Sequence, residues 1–438
     1  MKKLLFILLV LVISESLYGQ VSGGYVPKPV VPGGKNKQNS RVPNIITSEG
    51  MEYNILGNKA ILSKGKAAAS IKIPEYIRNG NKQFPVTEIG NWAFSIDGAK
   101  VITEITFSKN LKIIGDMAFD GCINLKKLHI PSTVTEIKGQ PFHDCYGLLQ
   151  ITVDSNNPVY DSRNNCNAII ESKTGKLIKG CINTVIPSDI STIGTDAFFG
   201  CSLVSISIPD GVTTIEGGAF SHCSNLSDVK LPSSLEIIGA AFTDCYKLKS
   251  IELPRSVKML DYTFAQSGLR SIFIPASLEI IKANPLAYCK NLESIVVANN
   301  NKYFDSRSDC NAIIRKSDNQ LLCGCKNTVI PNTIKAIGNS AFIGCVGLQK
   351  IEIPEGVTVI DKDAFFGCKK LTTISLPSTL NTINSMAFNL SAIKSIRIPE
   401  KVKELSDFVF PDELNVAYIP HSCKISSKLE RLYKIVRY

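Results

Sequence analysis

Apolar and polar residues alternate in one phrase that returns along most of the chain. The phrase reads L-x-x-I-x-I-P-x-x-h-x-x-I-G-x-x-A-F-x-x-C, with h apolar, and it recurs every 21 to 23 residues over about 71–420. Two copies are LKKLHIPSTVTEIKGQPFHDC (125–145) and LQKIEIPEGVTVIDKDAFFGC (348–368). A fixed period of this length is typical of a solenoid, in which each repeat packs on its neighbours. We therefore predict one elongated repeat domain.

The first half of the phrase predicts a β-strand. The residues L-x-x-I-x-I alternate between inward and outward positions, and the proline that follows cannot donate to a sheet. We expect about fifteen such strands, one per repeat, in one long parallel sheet. Their central residues are Ile71, Ile105, Leu128, Ile151, Thr184, Ile206, Val229, Ile251, Ile272, Ile295, Thr328, Ile351, Ile374, Ile396 and Ala417.

The second half of the phrase, Ile-Gly-x-x-Ala-Phe, predicts a turn followed by a short helical or 3-10 segment on the other side of the solenoid. One aromatic ring per repeat would fill the space behind the sheet, which is a structural role. These rings belong to Phe94, Phe119, Phe142, Phe198, Phe220, Phe242, Phe264, Phe342, Phe365, Phe388 and Phe410, with Leu286 replacing one of them.

Two repeats are longer than the others, at about 154–187 and 298–331, and they match each other at an offset of 144 positions. Each contains two alternating segments around a polar turn, which predicts a β-hairpin. Opposed hairpin residues can reach disulfide distance, so each hairpin offers one candidate pair, as a disulfide or as two free thiols. The pairs are Cys166 with Cys181 and Cys310 with Cys325.

The two ends of the chain differ from the repeats. Residues 1–19 combine two lysines with a short apolar run, which predicts a secretory signal peptide; a membrane anchor is the alternative, but the run is short for one. Residues 20–45 are rich in Pro, Gly and polar residues and predict a flexible tether. The alternation of apolar and polar residues in 46–85 predicts a cap of hairpin strands. Residues 86–420 are predicted to form the solenoid, and residues 421–438 a C-terminal tail.

Composition narrows the classes of function. The net charge of +11 becomes 47 − 37 = +10 when 1–19 are removed, but the charges of both signs alternate without a basic run. This pattern favours a solvated surface over a nucleic-acid interface. No segment after residue 20 has the ~20 consecutive apolar residues of a membrane span.

The sequence offers few candidates for catalytic or metal-binding residues. Eight cysteines fall three residues after the aromatic position, where a small buried residue is expected, and the four histidines lie at different phases of the repeat. No nucleophile elbow, zinc-binding helix or phosphate-binding loop is present in the sequence. We therefore predict no catalytic residue, no cofactor and no metal site.

The outward positions of the strands, third and fifth in the phrase, are the candidate binding residues. They are mostly small and polar with charges of both signs, and two of them are aromatic. The candidates are Lys127, His129, Gln150, Asp228, Lys230, Glu252, Phe273, Lys350, Glu352, Arg397 and Tyr418.

The repeated phrase resembles the BspA-like family of bacterial leucine-rich repeat proteins over about 86–420. The resemblance implies a strand-rich, α/β-type leucine-rich repeat solenoid with a right-handed curve and the parallel sheet on its concave side. It also implies export to the cell surface and adhesion to matrix proteins or other cells, and it transfers no binding residue.

The resulting hypothesis is a non-catalytic secreted or cell-surface binding protein that engages a protein or glycan. An envelope accessory protein for carbohydrate binding or processing is the alternative, and nucleic-acid binding ranks last.

Overall fold

The structure is a computed structural model that describes residues 44–438. The predicted signal peptide (1–19) and the predicted tether (20–45) as far as residue 43 lie outside the described residues, whereas residues 44 and 45 of that tether belong to a β-strand (Asn44–Ser48). The predicted fold class is confirmed: the chain is a strand-rich, parallel-sheet solenoid of about 16 turns with little helix. It divides into two compact units, with 44–201 and 216–220 in unit 1 and 202–215 and 221–438 in unit 2. None of the helices formed by 44–438 has the length and apolar character that crossing a membrane requires.

The N-terminal part of unit 1 is built from antiparallel strands. Strand β1 pairs with β2, β2 pairs with β3 through a turn at Gly57 and Asn58, and β5 pairs with β6. Strand β3 then pairs in parallel with β6, which starts the repeating part of the unit. The five strands are β1 (Asn44–Ser48), β2 (Met51–Leu56), β3 (Lys59–Lys64), β5 (Tyr76–Asn79) and β6 (Lys82–Ile89).

The L-x-x-I-x-I segments form twelve short strands, which we call the face strands. They pair in parallel within five separate sheets. They are β4 (Ser70–Lys72), β7 (Glu104–Thr106), β9 (Lys127–Ile130), β11 (Gln150–Val153), β16 (Ser205–Ser207), β18 (Asp228–Lys230), β21 (Ser271–Ile274), β23 (Ser294–Val297), β28 (Lys350–Glu352), β30 (Thr373–Ser375), β32 (Ser395–Arg397) and β33 (Val416–Ile419).

The face is not one uninterrupted ladder, because three of the expected strands do not form. At Thr184 and Thr328 the cause is the long repeat itself. The backbone N–H of the next residue, Val185 or Val329, donates to the carbonyl oxygen of Cys166 or Cys310 at 3.1 Å, so the hairpin segment takes the place of the neighbouring strand. Nothing in the structure explains the third gap, at Ile251.

A second set of parallel strands, two residues each, forms where only a turn was expected. It comprises the two residues before the glycine position of the phrase, which holds a glycine after four of the ten strands. At Gly115 the glycine permits close approach, because a Cβ there would lie 2.6 Å from the backbone nitrogen of Asn91. These strands are β8 (Ile113–Ile114), β10 (Glu136–Ile137), β15 (Thr192–Ile193), β17 (Thr214–Ile215), β19 (Ile237–Ile238), β20 (Met259–Leu260), β22 (Ile280–Ile281), β27 (Ala336–Ile337), β29 (Val359–Ile360) and β31 (Thr382–Ile383).

The Ala-Phe segment is a tight turn, where the sequence suggested a short helical or 3-10 segment. In seven of the eleven aromatic turns, left-handed residues stand two positions before and two positions after the aromatic residue, as Met117 (φ 52°) and Gly121 (φ 76°) do around Phe119. Left-handed residues cannot continue a right-handed helix, so the segment stays a turn. The 3-10 helices of 44–438 lie elsewhere, at Ala99–Val101, Arg163–Asn165 and Arg307–Asp309.

The aromatic rings form the centre of the core, as the pattern predicted. Within unit 1 the rings of Phe94, Phe119 and Phe142 stack with centroids 5.0 and 5.7 Å apart. Within unit 2 the ring of Phe365 lies 5.0 Å from that of Phe342 and 5.9 Å from that of Phe388. Backbone bonds join the same turns; the N–H of Phe365, for example, donates to Ala387 at 2.8 Å.

Each long repeat contains three antiparallel strands. The last strand of each set also pairs in parallel with a two-residue strand, β14 with β15 and β26 with β27, so the hairpin is part of the stack. The six strands are β12 (Tyr160–Asp161), β13 (Ala168–Glu171), β14 (Lys176–Gly180), β24 (Phe304–Asp305), β25 (Ala312–Arg315) and β26 (Gln320–Gly324).

Residues 421–438, which the sequence left as a tail, contain a helix and a strand. Helix α1 (Ser427–Leu432) is capped by Ser426, whose hydroxyl accepts a hydrogen bond from the backbone N–H of Leu429 at 3.3 Å. Strand β34 (Ile435–Arg437) pairs in parallel with β33. The C-terminal segment therefore adds one further strand to the face.

All fourteen cysteines are buried free thiols. The two candidate hairpin pairs are not bonded, and their thiols contact other groups. The Sγ of Cys181 donates to the carbonyl oxygen of Asn167 at 3.6 Å, and that of Cys325 donates to Asn311 at 3.6 Å. Each of these two cysteines is thus held against its hairpin by a weak hydrogen bond.

We expect the folded protein to resist alkylation and the unfolded protein to accept fourteen groups without reductant. Burial raises the pKa of Cys122 to about 12 and of Cys345 to about 12, and only the thiolate reacts. Mass spectrometry after an iodoacetamide pulse at about pH 8, below these raised pKa values, measures both states. A denatured mass lacking two groups per hairpin would instead establish disulfides.

Candidate functional site

The outward positions of the face strands are the candidate site. All eleven residues named from the sequence have exposed side chains, while the central residues between them are buried or half-buried. Alternation in a strand fixes this arrangement, because successive side chains point to opposite sides of the sheet. The structure thus places every candidate on one type of surface, in groups that belong to separate sheets.

In unit 1 the register brings polar candidates side by side. Lys127 lies opposite Glu104 on one neighbouring strand and Gln150 on the other. His129 lies opposite Thr152, and its Nδ1 is 2.9 Å from the threonine hydroxyl. These residues form a hydrogen-bonding surface without an aromatic anchor.

In unit 2 the first candidates are flanked by small residues. Asp228 and Lys230 lie opposite Ser205 and Ser207, and Glu252 stands in the segment that forms no strand. Such a surface can accept and donate hydrogen bonds, but it has no large side chain that could insert into a pocket of a partner.

An apolar group lies further along unit 2. Phe273, with 55% of its surface exposed, stands opposite Val296, with 47% exposed. Val329 occupies the same position of the phrase in the long repeat and is 74% exposed. Val329 is not among the candidates predicted from the sequence, because its repeat was treated as an insertion, although counting back from Pro331 places it at the fifth position.

The last candidates line or border an open groove of about 680 Å³. Lys350 and Glu352 lie opposite Thr373 and Ser375, and Arg397 lies opposite Tyr418. The groove is lined by Glu355, Ile374, Ser375, Leu376, Ser378, Arg397, Pro399, Glu400, Lys401 and Tyr438.

Tyr438 gives this groove its aromatic wall, and the sequence did not predict it. The guanidinium carbon of Arg397 lies 3.6 Å from the centre of the Tyr438 ring, within cation–π distance. The Tyr438 hydroxyl donates to the carbonyl oxygen of Ile398 at 2.5 Å, which fixes the ring. No repeat signal marks Tyr438, so no local pattern could have joined it to Arg397.

A cluster of charged side chains lies on the turns of unit 1, away from the face strands. The possible ligand atoms of Asp120, His143 and Asp144 all lie within 4.8 Å of one another. His143 Nδ1 is 2.8 Å from Asp120 Oδ1, and its ring packs on Phe199 at 4.4 Å. Asp120 also accepts a hydrogen bond from Ser95 at 3.0 Å. The contacts join successive turns, which is a structural function.

His143 should make stability depend on pH. Burial lowers the pKa of His143, but the hydrogen bond to Asp120 and the charges of Asp144, Asp196 and Asp120 raise it above the usual 6.5 overall. A raised folded pKa stabilises the folded state below the unfolded pKa, and this contribution is lost as pH rises through the folded pKa. We expect His143→Gln to remove this loss of stability between about pH 6 and pH 8.

Urea unfolding of the wild type and of His143→Gln at about pH 6 and about pH 8 measures this pH dependence of the free energy of unfolding. His421→Gln is the matched control, because His421 forms no ion pair with a carboxylate of residues 44–438. An equal pH dependence in the wild type and in His143→Gln would contradict the assignment.

One family model matches most of the chain. It is described as the BspA type leucine rich repeat region, in six copies, and it matches residues 76–175, 178–293, 240–315 and 319–433. No curated protein matches the chain.

Solved structures of bacterial repeat proteins resemble the chain in fold. A leucine rich cell surface protein from Faecalibacterium prausnitzii is 24% identical, with 90% of this chain and 95% of that chain covered and a TM-score of 0.50. A leucine-rich repeat protein from Bacteroides ovatus is 23% identical, with 90% and 100% covered and a TM-score of 0.40. The pneumococcal vaccine antigen PcpA is 18% identical, with 91% and 100% covered and a TM-score of 0.43.

Proposed function

Because this chain belongs to the BspA-type leucine-rich repeat family, we propose that it is an exported, non-catalytic binding protein. It engages proteins or glycans of a host or of neighbouring cells through the outward side of its face strands, in the manner of an adhesin. The predicted signal peptide supports export, and the family suggests a binding role for the repeats.

The exposed face is the observation that carries this proposal. Its candidates offer hydrogen-bond donors, acceptors and charges of both signs on successive strands, so a long partner can make many modest contacts. Aromatic and arginine anchors contribute most of the energy in protein interfaces. Among the candidates they are Phe273, Tyr418 and Arg397, and Arg397 lines the groove together with Tyr438.

The test is binding of residues 20–438 to arrayed matrix proteins and glycans at physiological salt. Saturable binding that persists at higher salt supports the proposal, because a purely electrostatic association weakens steeply with salt. Absence of binding on both arrays would contradict it.

A second candidate, an envelope accessory protein for carbohydrate binding, is favoured by the same aromatic groove. It predicts binding to polysaccharide from the producing cell in preference to host glycans, so including both on one array separates the two functions.

A further inference from the structure

Arg397 is held in one orientation with its polar edge unoccupied. The guanidinium lies against the Tyr438 ring at 3.6 Å, and the ring is fixed by its own hydrogen bond to Ile398. No carboxylate or carbonyl of residues 44–438 forms an ion pair or hydrogen bond with this guanidinium.

Other arginines of the chain show the contrast. Four of them pair with carboxylates of the described chain at 2.6–3.5 Å. They are Arg163, Arg307, Arg315 and Arg437. A guanidinium that stacks on a ring keeps its N–H groups available at the edge, where they match the two oxygens of a carboxylate. Arg397 therefore has the geometry of a carboxylate receptor.

Apart from Arg397 and Tyr438, the groove is lined by two carboxylates, two serine hydroxyl groups, the cation Lys401 and three apolar side chains. Glu355 accepts from the backbone N–H of Ser378 at 2.9 Å and from its hydroxyl at 3.1 Å. These bonds lower the pKa of Glu355 and keep it ionised. Glu400 lines the same groove and has no side-chain partner among the described residues, and Ser375 adds a hydroxyl.

We infer that this groove binds an acidic sugar, with Arg397 donating hydrogen bonds to the sugar carboxylate and with Glu400 and Ser375 accepting hydrogen bonds from its hydroxyl groups. The inference rests on the proposed binding function and names the partner class for one site. Glu355 and Glu400 offset the charges of Arg397 and Lys401 in the lining, so the groove has no net positive charge to hold a doubly charged phosphate. A sugar has neighbouring hydroxyl groups that can donate hydrogen bonds to these acceptors. An acidic peptide would instead place further carboxylates near Glu355 and Glu400, which would repel them.

The wall of the groove also suits a sugar ring. Tyr438 and the neighbouring Tyr418 present rings beside Arg397, and Tyr418 is 36% exposed. The apolar side chains at the floor, Ile374 and Leu376, are half-buried, so they offer a shallow surface with no deep pocket for a peptide side chain.

Calorimetric titration of residues 20–438 tests the inference. The probes are sialyllactose and a glucuronate-containing disaccharide, which separate sialic from uronic acids. Lactose is the neutral control, and an acetylated Glu-Glu dipeptide amide supplies carboxylates without a sugar. We expect an acidic saccharide to bind and lactose to bind at least about 10-fold more weakly, because the charged hydrogen bonds are absent.

Variants assign the effect to Arg397. Arg397→Gln should weaken binding of the acidic saccharide about 10- to 100-fold, and Arg397→Lys should restore only part, because lysine keeps the charge and loses the paired N–H groups. Arg255→Gln removes an equal charge from another exposed position of unit 2 and should leave affinity unchanged. Circular dichroism of each variant verifies the fold.

Three outcomes would overturn the inference: no binding of either acidic saccharide, equal weakening by Arg255→Gln and Arg397→Gln, or tighter binding of the dipeptide, which would make the site a peptide site. The proposed function has its own readout. If the arrays detect a partner while neither acidic saccharide binds in the calorimetric titration, the groove inference fails and the binding function stands.

Discussion

Replacing Phe365 with alanine is expected to lower the free energy of unfolding by about 3–5 kcal/mol. The side chain is fully buried, and rings from the turns on both sides stack on it at 5.0 and 5.9 Å. Those rings belong to Phe342 and Phe388, which are fixed by their own turns. The neighbours therefore cannot close the cavity, and the loss includes both the buried ring and the empty space.

Urea unfolding monitored by far-ultraviolet circular dichroism measures this loss. The matched control is Phe273→Ala, which removes the same ring from a position that is 55% exposed and should change stability by less than about 0.5 kcal/mol. Equal shifts of the two unfolding midpoints would show that the stacked rings do not carry the core.

The repeat period made the core and the exposed face predictable. A residue at a given phase meets the same neighbours in every turn, so one copy of the phrase informs on all others. The buried rings and the eleven exposed candidates follow from this rule together with strand alternation. The contact between Asp120 and His143 follows the same rule, because the two residues are 23 positions apart and occupy the same position of the phrase in successive repeats. A comparison of the different residue types at that position would have predicted this contact.

Features that depend on backbone conformation or on distant segments were not predictable. Left-handed residues flank most of the aromatic turns, yet their types range from glycine to methionine, tyrosine and aspartate. Composition therefore gives no sign of the conformation that prevents a helix. The groove at Arg397 needs Tyr438, which lies outside the repeats and approaches only because β34 pairs with β33.

The hairpins of the long repeats resemble the N-terminal hairpin in one detail. In all three places a glycine ends the last antiparallel strand or directly follows it, and an aromatic ring of the next turn covers that glycine. A Cβ on Gly65, Gly180 or Gly324 would lie 2.2 Å from the ring of Phe94, Phe198 or Phe342, respectively. A solenoid needs a cap where its stack begins. We conclude that each long repeat carries the structure of a cap.

Residues 298–438 are therefore expected to fold alone, as a cooperative unit. The fragment contains β24, β25 and β26 as its cap, and one buried cluster extends from Cys310 to Tyr433 without a residue of the earlier repeats. A fragment of 326–438 keeps the same later repeats but lacks the hairpin, so Phe342 loses the surface formed by Gly324. We expect that fragment to remain largely unfolded or to aggregate.

Circular dichroism and urea unfolding of both fragments decide between a cap and a passive insertion. A sigmoidal transition for 298–438 with none for 326–438 supports the cap, and Gly324→Leu in the longer fragment should abolish the transition because its side chain would collide with the Phe342 ring. If both fragments unfold with the same midpoint, the hairpin adds nothing to the stack. In that case the duplicated hairpins would owe their presence to a surface function, since a cap that is not needed for folding has no structural reason to occur twice within the repeats.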